Sequence, residues 1–270
     1  FKFLTLGNSL MEFVNQILST AGPPLIAIFF TSIDDTFIFF SMPAVHALSV
    51  LFAFLFFIRF KEKKNIEEED KKNKKTLLDG IHYSYKFVNI RILLILTSTI
   101  LFWGLTHPLI PRISKDVLNA GPEGYAILLS AGALGAIIGS ITLPLAQSFF
   151  RNSKSIVLCI TCYSITLIGL ALSKSIILSS IFLGLGGFFH LIWFTVIIIL
   201  LQTLPDENHR GRVIGLFFTF VQLIGLGFII GGALGDTIGI NTTIYIASSS
   251  LIAIHIICFF SSSSFRSLKS

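Results

Sequence analysis

Charge is what this sequence has least of. Asp, Glu, Lys and Arg make up 13% of its 270 residues, about half the share found in a soluble domain. With 53% hydrophobic residues and a mean hydropathy of +0.85, an ordinary soluble enzyme or binding module is excluded. The chain has only three cysteines, Cys159, Cys162 and Cys258, all inside apolar stretches. An odd number of thiols at lipid depth excludes a disulfide framework, and the Cys159–Cys162 spacing lacks the βαβ context of a redox pair. Catalytic signatures are absent too. There is no His-Glu-x-x-His, no Gly-x-Ser-x-Gly, no Gly-Lys-Ser/Thr phosphate loop and no pair of carboxylates within an apolar stretch. No catalytic residue, metal site or cofactor is therefore expected. The net charge of +6 sits mostly in short connecting segments, so it sets orientation and does not point to nucleic acid. The first apolar stretch contains Glu12, Asn15 and Gln16 and does not read as a signal peptide. Beginning at Phe1, the chain reads as an amino-terminally truncated piece.

What is present is apolar length. Crossing about 30 Å of hydrocarbon takes roughly 20 apolar residues in a helix. Eight stretches qualify, near 8–33, 36–58, 90–110, 124–148, 154–173, 175–203, 212–236 and 241–261. Unpaired backbone groups are too costly in lipid for any open form, and the runs are too unbroken for barrel strands, so all eight are expected to be α-helices. The fold class is an all-α, multi-pass membrane protein. One solvated run, RFKEKKNIEEEDKKNKK from Arg59 to Lys75, divides two spans from six. Its density of Lys and Glu keeps it out of hydrocarbon and makes it a water-exposed linker.

Placing that linker in the cytoplasm leaves Arg112, Lys115 and Lys174 outside and the other seventeen of twenty basic residues inside. This positive-inside bias puts both termini of the chain in the cytoplasm. An outer loop from Thr106 to Gly124, carrying Pro108, Pro111 and Pro122, is expected. After the linker, Leu77, Leu78, Ile81, Tyr85 and Val88 recur at helical spacing. They fit either an interfacial amphipathic helix or the first turns of the next span.

Small residues recur every fourth position in two spans, Ala131, Gly135 and Gly139 in one and Gly227, Gly231, Gly235 and Gly239 in the other. Such faces let helix backbones touch where lipid removes the hydrophobic drive. They are expected at the seam between the two halves of the protein. Ionisable residues at membrane depth are few: Glu12, His46, His190 and His255, with His107 near the outer boundary. Each lone histidine can be satisfied by one interhelical hydrogen bond.

The stretch LLQTLPDENHRGRVIGLFFTFVQLIGLGFIIGGALGDTIG resembles a loop and helix of the major facilitator superfamily, in the branch of the enterobactin (siderophore) exporter and related multidrug exporters. Gln202, Thr203, Pro205, Gly211, Arg212 and Gly215 stand in the place of that branch's cytoplasmic-loop motif. LLDGIHYSYKFVNIRILL is similar to the family's lead-in to its seventh helix, and GYAILLSAGALGAIIGS to its eighth. The resemblance implies that the eight spans correspond to helices five to twelve of twelve. Residues 1–58 would then be the last two helices of the amino-terminal bundle, 59–76 the linker, 77–264 the six-helix carboxy-terminal bundle and 265–270 a tail. Two departures stand out. The loop after the fourth span keeps only Gly139, Arg151 and Lys154 of the family's signature, and Ile26 and Ala27 replace the glycines that usually follow Gly22-Pro23.

By the same resemblance, the third and sixth spans would line a central cavity. On the third, Thr99, Trp103, Thr106 and His107 share a face; on the sixth, Gly186, His190 and Trp193 do. The implied function is export of an organic solute, siderophore-like or drug-like, across the cytoplasmic (inner) membrane by alternating access driven by proton entry. The partners would be the lipid bilayer, the solute and protons, and the full-length protein would be monomeric. A non-transporting helical scaffold or assembly partner is the alternative.

Overall fold

The computed structural model describes residues 77–268 apart from Arg151, together with residues 6–11, 13, 14, 17, 43, 47–52, 54 and 55. Residues 1–20 and 77–270 belong to one compact unit and residues 21–76 to another. The first two expected spans lie largely outside the described residues, as do Glu12, His46 and the charged linker.

Among the described residues six helices are long and apolar enough to cross a membrane. A shorter helix, α1 (Leu77–Lys86), precedes them. The six are α2 (Val88–Val117), α3 (Gly121–Leu145), α4 (Ser153–Leu172), α5 (Ile176–Thr203), α6 (Glu207–Thr237) and α7 (Ile240–Ser261). A last short helix, α8 (Ser263–Arg266), is capped by the Ser262 hydroxyl, which accepts the Phe265 N–H. It carries Phe265 into the core at 0% exposure, so the packed unit runs past residue 264. Helix α5 packs on α3 and α4, α6 on α2, and α7 on both α4 and α2. Trp193, Phe217, Ile160, Ile197 and Leu93 fill the common core.

α2 overrides its own sequence signals. A loop was expected from Thr106, because Pro108 and Pro111 each lack an N–H and break a regular ladder. The chain instead stays helical to Val117, through a 3₁₀ turn at His107–Leu109 and a π turn at Ile113–Val117. The His107 carbonyl, which Pro111 cannot pair, accepts the Ile110 N–H. Burial of Leu109, Ile110 and Ile113 supplies the packing that holds these irregular turns. Earlier in α2, the Thr99 hydroxyl and N–H both turn back to the Leu96 carbonyl, and the ladder breaks there.

Among the described residues, the small-residue faces make contacts within this unit. A methyl group built on Gly135 would overlap the Gly184 carbonyl, and one on Gly187 that of Gly132, so α3 and α5 touch backbone to backbone. Gly184 in turn faces Ala131, and Gly139 faces Phe188. On the other side, Gly227 and Gly231 lie against the carbonyls of Leu101 and Leu105 in α2, and Gly235 against Leu109 and Arg112. Without side chains between them, such backbones gain dispersion contact that lipid tails cannot match. Gly239 departs from the expected face. It forms the α6–α7 turn at φ +89°, with nothing within 4 Å, a conformation that favours glycine.

At the opposite end, α1 packs on the start of α6 through Gly80, which lies against the backbone and Cβ of Arg212. Tyr83 stacks on His209 at 4.0 Å, and its hydroxyl accepts the Asp206 N–H. Ile81 and Tyr85 of α1 are exposed on its other side.

Candidate functional site

Helices α2 to α5 enclose a cavity of about 470 Å³ within the six-helix unit. From α2 come Trp103, Thr106 and His107; from α4, Tyr163 and Thr166; from α5, Phe182, Gly186, His190 and Phe194. Helix α3 contributes only small or aliphatic positions, among them Leu128, Gly132 and Ala136. The space exists because glycines stand where side chains would fill it: a Cβ on Gly186 would lie 3.0 Å from the Thr166 hydroxyl.

His190 is the hub of the site. Its ring stacks on Trp103 at 5.2 Å and on Phe194 at 5.9 Å, with planes inclined by 25° and 13°. Tyr163 stands at 5.6 Å and Trp193 meets it edge-on at 5.6 Å. Trp103 also touches His107 at 4.8 Å, so one indole links both imidazoles. Buried Nε2 of His190 has no hydrogen-bond partner among the described residues. The hydroxyls around it are partly committed. Thr106 donates to the Trp103 carbonyl and Thr166 to the Tyr163 carbonyl. Among the described residues, no Asp, Glu, Lys or Arg lines the cavity. It can therefore bind through aromatic faces, hydroxyl lone pairs and imidazole nitrogens.

Four of the six expected cavity residues meet here: Trp103, Thr106, His107 and His190. Thr99 does not, because the break in α2 turns it into the core at 2% exposure. Trp193 does not either. It is 1% exposed and packs edge-on against His255, whose Nδ1 pairs with the Leu251 carbonyl at 2.8 Å. Positions three and four beyond His190 lie on opposite sides of its meridian, and the cavity takes the fourth, Phe194. Tyr163 and Thr166 were missed by the sequence reading. Two polar side chains three residues apart inside an apolar span were the available signal.

The residues expected in a loop motif are mostly helical: Gln202 and Thr203 end α5, Pro205 lies in the short turn, and Gly211, Arg212 and Gly215 fall in the first turns of α6. Gln202 accepts the Asn8 side-chain amide at 2.9 Å, the Thr203 hydroxyl donates to the Ile199 carbonyl, and Pro205 is buried. Gly211 and Gly215 face open space, and Arg212 carries the Gly80 contact.

A second, open groove of about 830 Å³ runs along the outer face of α3 and α5. Its walls include Ile127, Leu134, Ile138, Ile177 and Phe189, with Ser180 the one polar side chain. Though larger, it has almost nothing to orient a solute and suits acyl chains. The smaller cavity has the chemistry of a binding site.

Comparison with curated proteins gives no match. The family described as transmembrane secretion effector matches residues 8–267, nearly the whole chain, and the chain belongs to this family of the major facilitator superfamily of membrane transporters.

Proposed function

We propose that the chain works in a secondary active transporter that exports a siderophore-like or drug-like organic solute across the cytoplasmic membrane, by alternating access driven by proton entry. The observation that carries this reading is the cavity of about 470 Å³ among α2 to α5, which is within the range of small-molecule sites and pairs aromatic walls with a few polar groups. Trp103, Thr106, His107 and His190 contact the solute, with Tyr163, Thr166 and Phe194 completing the wall. The packed glycines Gly135 and Gly231, with Ala131, Gly139, Gly227 and Gly235, keep α3–α5 and α2–α6 close enough to move as pairs. The motif Gln202, Thr203, Pro205, Gly211, Arg212 and Gly215 spans the end of α5, a short turn and the start of α6, and the basic residues of that side support a cytoplasmic position for it. Resemblance in this segment supports the enterobactin-exporter branch, with both termini cytoplasmic and a monomeric full-length protein.

Reconstitution into liposomes tests the reading. A panel of fluorescent planar aromatic solutes would be followed across the membrane under an imposed proton gradient. The expected result is movement of at least one solute against its own gradient, abolished by a protonophore. Failure of every solute to move in either direction would contradict it and favour the scaffold alternative.

A further inference from the structure

Two buried polar atoms of cavity-lining residues stand without a partner among the described residues: Nε2 of His190 and the hydroxyl oxygen of Thr195. Resting on the transport reading above, we infer that the exported solute is an uncharged planar aromatic molecule with a hydroxyl at each end of its ring system, one held by His190 and the other by Thr195.

Both residues belong to α5, and Thr195 is 1% exposed. A buried polar atom left unpaired is costly. Other threonines of the wall avoid that cost: the Thr106 and Thr166 hydroxyls donate to carbonyls of their own helices. Thr195 makes no such bond, so it and His190 are the two points where a hydrogen bond from a solute gains most. Thr195 follows His190 by five positions, about 7.5 Å along the helix axis. That separation is of the order of a fused two-ring system, so two groups on one rigid solute match the pair better than one. A hydroxyl both donates and accepts, which suits His190 in either tautomer and Thr195 in any rotamer. The wall about His190 is aromatic, with Trp103 and Phe194 stacked on it and Tyr163 beside it, so a flat ring packs well there. Among the described residues the lining holds no Asp, Glu, Lys or Arg. A fixed charge on the solute would lose its hydration and meet no counter-charge. An uncharged solute avoids that loss and needs no accompanying proton, so its exit and the entry of protons stay separate steps, compatible with export driven by proton entry.

Equilibrium binding to the purified chain in lipid nanodiscs, corrected for uptake by empty nanodiscs, tests this with four probes on one ring system: 2,6-dihydroxynaphthalene, 2-naphthol, 6-hydroxy-2-naphthoate and 6-hydroxy-2-naphthylmethylammonium. They share one hydroxyl and differ in the group at the far end, which is a second hydroxyl, hydrogen, an anion or a cation. The expected result is diol binding about five-fold tighter than 2-naphthol, the effect of one further net hydrogen bond, and at least about ten-fold tighter than either charged probe. Thr195→Val keeps the side-chain shape and His190→Phe keeps an aromatic ring. In each variant the preference for the diol over 2-naphthol should fall toward unity, while 2-naphthol itself binds within about two-fold of the unaltered chain. Persistence of the preference in either variant would overturn the assignment to the residue replaced. In the unaltered chain, equal binding of diol and 2-naphthol, or tighter binding of either charged probe than of the diol, would overturn the inference while leaving the cavity a solute site. Absence of binding by all four would overturn the cavity as a solute site together with it. Proton-driven movement in the liposome assay is read separately, so its presence beside any of these failures would leave the export reading standing.

Discussion

Trp103 of α2 and His190 of α5 stack across the cavity with ring centroids 5.2 Å apart, which joins a helix paired mainly with α6 to one paired mainly with α3 and α4. Aromatic pairs of this geometry contribute about 0.5–1.5 kcal/mol beyond the area they bury. A double-mutant cycle with Trp103→Ala and His190→Ala, read by chemical denaturation in detergent, should return a coupling in that range. A coupling near zero would mean that the two rings are neighbours without mutual stabilisation.

The two tryptophans of the chain should behave differently as fluorophores. Trp103 lines the cavity, whereas Trp193 is sealed at 1% exposure. In Trp193→Phe the remaining emission should be quenched steeply by acrylamide, and in Trp103→Phe only weakly. Equal quenching of both would place Trp193 on an accessible wall.

Backbone contact at Gly135 and Gly231 leaves no room for a side chain. Gly135→Leu and Gly231→Leu should each lower stability by about 1–3 kcal/mol or more, the cost of overpacking a rigid contact. Gly232 has nothing within 4 Å, so Gly232→Ala should be neutral or stabilising by up to about 1 kcal/mol through helix propensity. Thermal unfolding of the three variants side by side checks the contrast.

The shape of the six-helix unit was legible because apolar runs of this length have few alternatives in lipid, and its boundaries mostly follow composition. The end of α2 was not legible. Pro108 and Pro111 are local stop signals, and only the burial of Leu109 and Ile113 decides against them. At the site, Trp103, Thr106, His107 and His190 could be read from polar and aromatic residues on two apolar helices. Phe194 could not be told from Trp193, because both follow His190 by about one turn and the facing helix makes the choice. Tyr163 belongs to a helix that the family resemblance did not single out. The glycine spacing told that backbones touch; it could not name Gly184 and Leu105 as what they touch.

Arg112 and Asp236 join the carboxy-terminal parts of α2 and α6 at 2.8 Å, with side chains 37% and 73% exposed. Water screens such a pair, so it should contribute no more than about 1 kcal/mol. A cycle through Arg112→Ala and Asp236→Ala should show that small coupling, and it should shrink further at high salt.

Orientation has its own test at the linker. With the basic residues cytoplasmic, Asp70→Cys should react with an impermeant maleimide only when the cytoplasmic face is open to reagent. Labelling from the external face alone would invert the topology.

Accumulation of fluorescent aromatic solutes in cells expressing the chain tests the central claim, that solute passes through the cavity among α2 to α5. Ala133 lines that cavity, whereas Ile138 lies in the outer groove and is 58% exposed. Ala133→Phe should fill the space and raise accumulation to the level of cells without the protein, while Ile138→Phe should export as the unaltered chain does. Undiminished export by a correctly inserted Ala133→Phe protein would contradict the account.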